Sequence, residues 1–168
     1  MASPATGHPP KNPDAFRLEI AKFANQTNST VSAIVRRTAL DVYGRIAKRT
    51  PVDTGRARGG WGIAIGTVPG PMAGPTRKTA RRIRLTTAPP LDAGLALQAL
   101  SRLVSYDARK GQSIFIANAV NYIRYLEYGT VYGGPHSKQA PRGMVRVTLA
   151  EFSGIVKENA KDVPFGGD

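Results

Sequence analysis

The chain has no cysteine, one tryptophan, two histidines and only 11 acidic residues in 168. Without cysteine there is no disulfide framework, thiolate zinc site, iron–sulfur cluster or cysteine nucleophile, and a reducing compartment is permitted. The histidines offer little to catalysis. His8 lies in a proline-rich start and His136 in a Gly-Pro loop, and neither belongs to an element that would hold a general base within ~3 Å of a reacting proton. No set of His and carboxylate residues converges at metal-ligand spacing. The glycines of Gly59-Gly60 and of 66–74 fit neither a phosphate-binding loop nor a dinucleotide fingerprint. An enzyme, a cofactor and a metal site are therefore not expected. No apolar run approaches the ~20 residues that cross a bilayer, and the start MASPATGHPPKNP lacks an apolar leader core. The expectation is a soluble, non-secreted chain with no membrane contact, in which Asn25-Gln26-Thr27 and Asn28-Ser29-Thr30 match a glycan acceptor pattern without meeting its machinery.

What is present is base. Lys and Arg number 24, for a formal net charge of +13, while 41% of the chain is hydrophobic. A chain of this size can bury roughly 70% of its unfolded surface, enough for one globular domain without staples. Seven basic and two acidic residues lie between Arg36 and Arg58, and Arg77, Lys78, Arg81, Arg82 and Arg84 sit together with no acid among them. Such clusters attract polyanions or an acidic protein face.

Residues 1–11 carry Pro4, Gly7, Pro9 and Pro10 without apolar periodicity and are expected to be a flexible arm. Asn12-Pro13-Asp14 starts a helix, because Asn can cap, Pro suits the first position and Asp complements the dipole. Phe16, Ile20, Phe23, Thr27, Val31, Ile34, Val35, Leu40, Val42 and Ile46 then recur at mostly helical spacing. One helix can run to about Lys48, roughly 50 Å. Six polar residues, Asn25 to Thr30, are its weak point and a candidate kink. Gly44 is a place where another element could approach closely. Thr50-Pro51 ends the helix, since the residue before proline leaves the α region.

Pro51, Asp53 and Gly55 have turn chemistry. Asp53 can bond the amides of its own turn, and Gly55 can take a positive φ. Trp61, Ile63 and Ile65 alternate with small residues as a strand. The Pro- and Gly-rich stretch 68–79 is a long loop, and Ile83 with Leu85 fit the return strand of an extended hairpin. That hairpin would carry the basic cluster on its distal part. Leu95, Leu97, Leu100, Leu103 and Val104 indicate a helix of about 13 residues. Residues 113–119 read as a second strand, and 122–128 as a helical turn stopped by Gly129 in a left-handed cap. Tyr122, Tyr125 and Tyr128 fall on one helix face, where packing is expected rather than base stacking. The final helix is expected to begin at Pro141, with Met144, Val147 or Thr148, Phe152 and Val156 as its apolar stripe. The class is α+β: a long N-terminal helix packed on a small antiparallel sheet with an extended hairpin, plus two further helices. The organisation is an arm (1–11), a single domain (12–162) and a tail (163–168). Glu127, between Leu126 and Tyr128, is expected to be a partly buried, paired carboxylate, with Arg56 or Arg58 as partner on the local density of base.

Two segments carry a family likeness. The first is Arg49-Thr50-Pro51-Val52-Asp53-Thr54-Gly55-Arg56-Ala57-Arg58. The second is Tyr125-Leu126-Glu127-Tyr128-Gly129 followed by Ser137-Lys138-Gln139-Ala140-Pro141-Arg142-Gly143-Met144-Val145. In order and spacing they resemble the tail-completion, or neck, proteins of long-tailed bacteriophages, lambda-type minor tail protein Z among them. The likeness runs from roughly Phe16 to Phe152, with a longer stretch than usual between Gly129 and Gln139. It implies a non-enzymatic virion part, made in the host cytoplasm and added at the head-proximal end of the tail to join it to the DNA-filled head. It further implies a ring, six-fold most commonly, whose partners are connector or adaptor proteins and tail terminator or tail tube proteins. The basic cluster would then meet either phosphates of channel DNA or an acidic face of an adjoining ring. The protein face is preferred, because a channel that must release DNA should not grip it with many cations. A basic module binding nucleic acid without sequence preference is the alternative reading.

Overall fold

The computed structural model describes residues 13–52, 55–68, 93–129 and 140–163. Helix α1 runs unbroken from Pro13 to Arg49, about 55 Å at 1.5 Å per residue. The polar stretch does not break it. The Ser29 and Ser32 hydroxyls donate to the carbonyls of Gln26 and Asn28, three and four residues back. Their local bonding is thus satisfied within helical geometry rather than against it. At the far end the Thr50 hydroxyl donates to the Ile46 carbonyl at 2.8 Å and accepts the Trp61 indole N–H at 2.8 Å. Thr50 thereby ties the end of α1 to the start of the sheet.

A short helix α2 (Arg56–Gly59) leads into β1 (Trp61–Ile65). Helix α3 (Ala93–Leu103), a 3-10 turn (Ala108–Lys110), β2 (Ile114–Asn118) and α4 (Ile123–Tyr128) follow, and α5 (Val145–Ala150) and α6 (Phe152–Lys161) end the described chain. The fold is α+β, with β1 and β2 antiparallel in the register Trp61 to Asn118, Ile63 to Ile116 and Ile65 to Ile114. Directly opposed residues share a face, so Trp61, Ile63 and Ile116 present one apolar surface. The buried cluster joins that surface to Val42, Tyr43, Ile46 and Ala47 of α1, Leu103 of α3, Met144, and Ile155 of α6. The return strand at Ile83 and Leu85, and with it the extended hairpin, lies outside the described residues, as do the arm and the tail end 164–168.

Three expectations are corrected here. The last helix does not begin at Pro141, which lies exposed in a turn; α5 begins at Val145. Its buried stripe is Met144, Thr148, Ile155 and Asn159, while Phe152 is exposed, because repeated steps of four residues drift about 40° each round a helix and carry Phe152 and Val156 off the face that steps of four and seven keep. Gly44 has open space where a Cβ would sit, so no described element approaches it closely.

Gly55 has φ 76° and ψ −9° immediately before α2. That conformation disfavours any Cβ, most of all a branched one. Gly55→Val is expected to lower stability by about 1 kcal/mol or more, a fall in Tm of about 2–4 °C for a chain of this size. An unchanged melting curve would show that the turn relaxes without cost.

Candidate functional site

Glu127 sits on α4 with 5% of its surface exposed. Ile123 and Leu126 of the same helix lean on the apolar cluster, which turns the carboxylate inward toward the start of α5. There it accepts three backbone amides: Met144 N–H at 2.7 Å, Val145 N–H at 3.0 Å and Arg146 N–H at 3.0 Å. These are first-turn amides that a helix leaves without internal partners. The Arg146 guanidinium completes the enclosure, donating to Glu127 Oε1 at 3.4 Å and to the Glu127 carbonyl at 2.7 Å, and lying 5.0 Å from the centre of the Tyr128 ring. Burial pushes the Glu127 carboxyl up. The amides of Arg146, Met144 and Val145 and the Arg146 side chain outweigh it and hold the group below the usual glutamate range.

Two glycines make room for this arrangement. Gly129, at φ 81° and ψ −174°, ends α4 and donates its N–H to the Tyr125 carbonyl. This is a positive-φ extended conformation open essentially to glycine alone, rather than the left-handed helical cap expected from sequence. Gly143, at φ +79°, passes so close to Glu127 that a Cβ there would lie 2.6 Å from Oε1. Neither Arg56 nor Arg58 pairs with Glu127; the partner is Arg146. Arg58 instead donates to the carbonyls of Lys48 and Thr50, and Arg56 is exposed. The missed signal was in the sequence, since Gly143 lies in the PRGMV segment and Arg146 directly follows it at the start of α5.

A second network ties α5 and α6 to α1. The Arg49 guanidinium donates to Thr148 Oγ1 at 2.8 Å and to Glu151 at 2.6 Å, and Arg45 bridges Asp41 and Glu151. Glu151 is held below its usual range chiefly by the Arg49 hydrogen bond. Chemically these groups are spent. The Glu127 oxygens face donors, the arginines face acceptors, and among the described residues no cluster of three metal-ligating side chains forms.

The structure brings Glu127, Gly129 and Pro141 to the junction of α4 and α5, and Pro51, Gly55 and Arg58 to the junction of α1 and the sheet. Asp53, Gln139 and the basic cluster Arg77, Lys78, Arg81, Arg82 and Arg84 lie outside the described residues. The tyrosine face is turned the other way from expectation: Tyr128 is 61% exposed and Tyr125 is also exposed, because Ile123 and Leu126 take the core side. Among the described helices none is long and apolar enough to cross a membrane. Comparison with protein-family models, with curated proteins and with solved structures gave no match.

Proposed function

We propose that this chain is a structural part of a phage neck, completing the head-proximal end of the tail and joining it to the DNA-filled head as a ring. The observation that carries the reading is how the segments bearing the resemblance are joined. Glu127 of the LEYG segment holds the amides that open α5 in the PRGMV segment. Arg49, which precedes PVDTG, bonds Thr148 one turn further on. Motif residues spent on holding a frame, with no catalytic group among them, suit a part whose work is done by its outer surfaces and by the basic cluster facing an acidic neighbour.

The alternative, a nucleic-acid-binding module, draws on the charge of +13. It is disfavoured by where five of the described arginines go: Arg36 to the Tyr106 carbonyl, Arg45 and Arg49 to Glu151, Arg109 to Asp107 and Arg146 to Glu127. Guanidinium groups held by internal acceptors have less to offer a phosphate. In a phage lacking this protein, electron microscopy of the lysate is expected to show filled heads and nearly complete tails unjoined. Normal infectious particles in that lysate would refute the proposal.

A further inference from the structure

Ile123 and Leu126 turn one side of α4 to the core and leave two of its tyrosines on the other. Tyr125 is 49% exposed and Tyr128 61%. Residues three and four apart are neighbours on a helix, so Tyr125 and the exposed Arg124 both flank Tyr128. The Arg146 guanidinium reaches the same ring from α5, 5.0 Å from its centre, and Leu149, also exposed, lies about one turn further along α5. Arg142 is exposed beside Gly143, which lies against Glu127. One continuous surface therefore carries two phenols, three guanidinium groups and a leucine.

The charge of this surface is uncompensated. Between Asp107 and Glu151 the one acidic residue is Glu127, which is buried and occupied by three backbone amides and Arg146. Arg146 is anchored through Nε and Nη2. Its Nη1, like the guanidinium groups of Arg124 and Arg142, donates to no acceptor among the described residues. An anchored guanidinium has already lost rotamer freedom that binding would otherwise cost. Tyrosine and arginine are the side chains that most often anchor contacts between proteins, whereas lysine is depleted there. This face has both of the former and, among its described residues, no lysine.

We infer that this face binds an acidic segment of a different protein. Carboxylates of the partner meet Arg124, Arg142 and the open edge of Arg146, and an apolar side chain between them lies over Tyr125 and Leu149. A second copy of this chain does not fit. Asp41, Asp107, Glu127, Glu151, Glu158 and Asp162 already face its own arginines, and two copies at a net charge of +13 each repel. Nucleic acid is served less well, since three cations make few phosphate contacts and an exposed leucine gives a base no ring to stack on. The inference does not rest on the virion role.

The probe is a peptide of Asp-Glu-Leu repeats whose leucines are photoreactive, with an Asn-Gln-Leu counterpart and an oligothymidine of similar length as comparisons. Each is mixed with the full chain, and after illumination mass spectrometry locates the peptide crosslinks. The acidic peptide is expected to mark Tyr125, Tyr128 or Leu149, and the amide peptide to leave them unmarked. At sub-saturating peptide, Arg124→Gln combined with Arg142→Gln should cut the yield at these positions by about tenfold and flatten its salt dependence. Tyr125→Ala should cut the yield at Tyr128 and Leu149 about as far while the salt dependence stays as it was. Circular dichroism confirms that both variants fold. Crosslinks confined to the segment bearing Arg77 to Arg84, an equal yield from the amide peptide, or a yield that survives both sets of changes would overturn the inference. So would oligothymidine displacing the acidic peptide from this face at lower concentration than unlabelled peptide does, which would assign the face to nucleic acid. None of these results bears on the lysate phenotype, so the two proposals fail separately.

Discussion

Gly143→Ala is expected to be the most damaging single methyl in the described chain, lowering stability by about 3 kcal/mol or more. Two costs add at this position. A residue with a Cβ pays about 1–2 kcal/mol to hold a left-handed φ such as the +79° found here. The new Cβ would also lie 2.6 Å from Glu127 Oε1 and 2.8 Å from the Glu127 carbonyl oxygen. The carbonyl belongs to the end of α4 and cannot swing aside as a side-chain tip can, while moving the carboxylate releases the amides it holds. For a chain of this length the loss corresponds to a fall in Tm of about 6–12 °C, at about 2–4 °C per kcal/mol. Thermal unfolding of the purified variant measures it. A shift of less than a third of that would show that α5 can move away from Glu127 at little expense.

Glu127→Gln tests the same junction from the other side. The substitution keeps the shape but removes the charge and turns an amide NH2, a donor, toward Met144, Val145 or Arg146 N–H, which are donors themselves. Hydrogen bonds to a charged group contribute about 1.5–3 kcal/mol each, and a buried donor left without a partner adds to the loss, so about 2–3 kcal/mol at neutral pH is expected. The effect also has a direction in pH. Because the folded-state pKa of Glu127 is depressed, its contribution is fully present above the unfolded value of about 4.3 and is lost as pH falls through the lower folded value. Melting temperatures measured from neutral pH down into acid should therefore converge, the unaltered protein falling faster than Glu127→Gln. Asp107 and Glu151, whose carboxyls are also held low, are common to both proteins and cancel in the difference. A gap that stays constant below pH 4 would assign the damage to shape rather than charge.

The elements that sequence revealed are those whose signals are local. Asn12-Pro13-Asp14 and Thr50-Pro51 bracket a helix found at Pro13–Arg49, since capping and proline sterics act within a turn of the residue concerned. Trp61, Ile63 and Ile65, and the stretch at 113–119, yield strands because alternation is a property of the segment itself. What depended on distant neighbours was hidden. Spacing of three puts Tyr122, Tyr125 and Tyr128 on one face but says nothing of whether that face looks inward, and Ile123 and Leu126 decide it. Density of base near Pro51 pointed to Arg56 and Arg58 as partners of Glu127. Yet pairing is set by which helix end meets the carboxylate, and that is α5, which brings Arg146. The start of α5 was displaced from Pro141 for the same reason, since its cap is a side chain from 17 residues earlier.

Glu127 does something for the chain between its partners as well as for the helix it caps. By gripping α5 while belonging to α4, it fixes the separation of the two points from which the stretch 130–139 departs and to which it returns. A loop whose ends are already held pays little for extra length, about 0.6 kcal/mol for each doubling. Extra residues between these points are therefore expected to cost the fold little. The passage from Gly129 to Gln139, with Val131, Tyr132 and His136 in it, is where such an insertion would go.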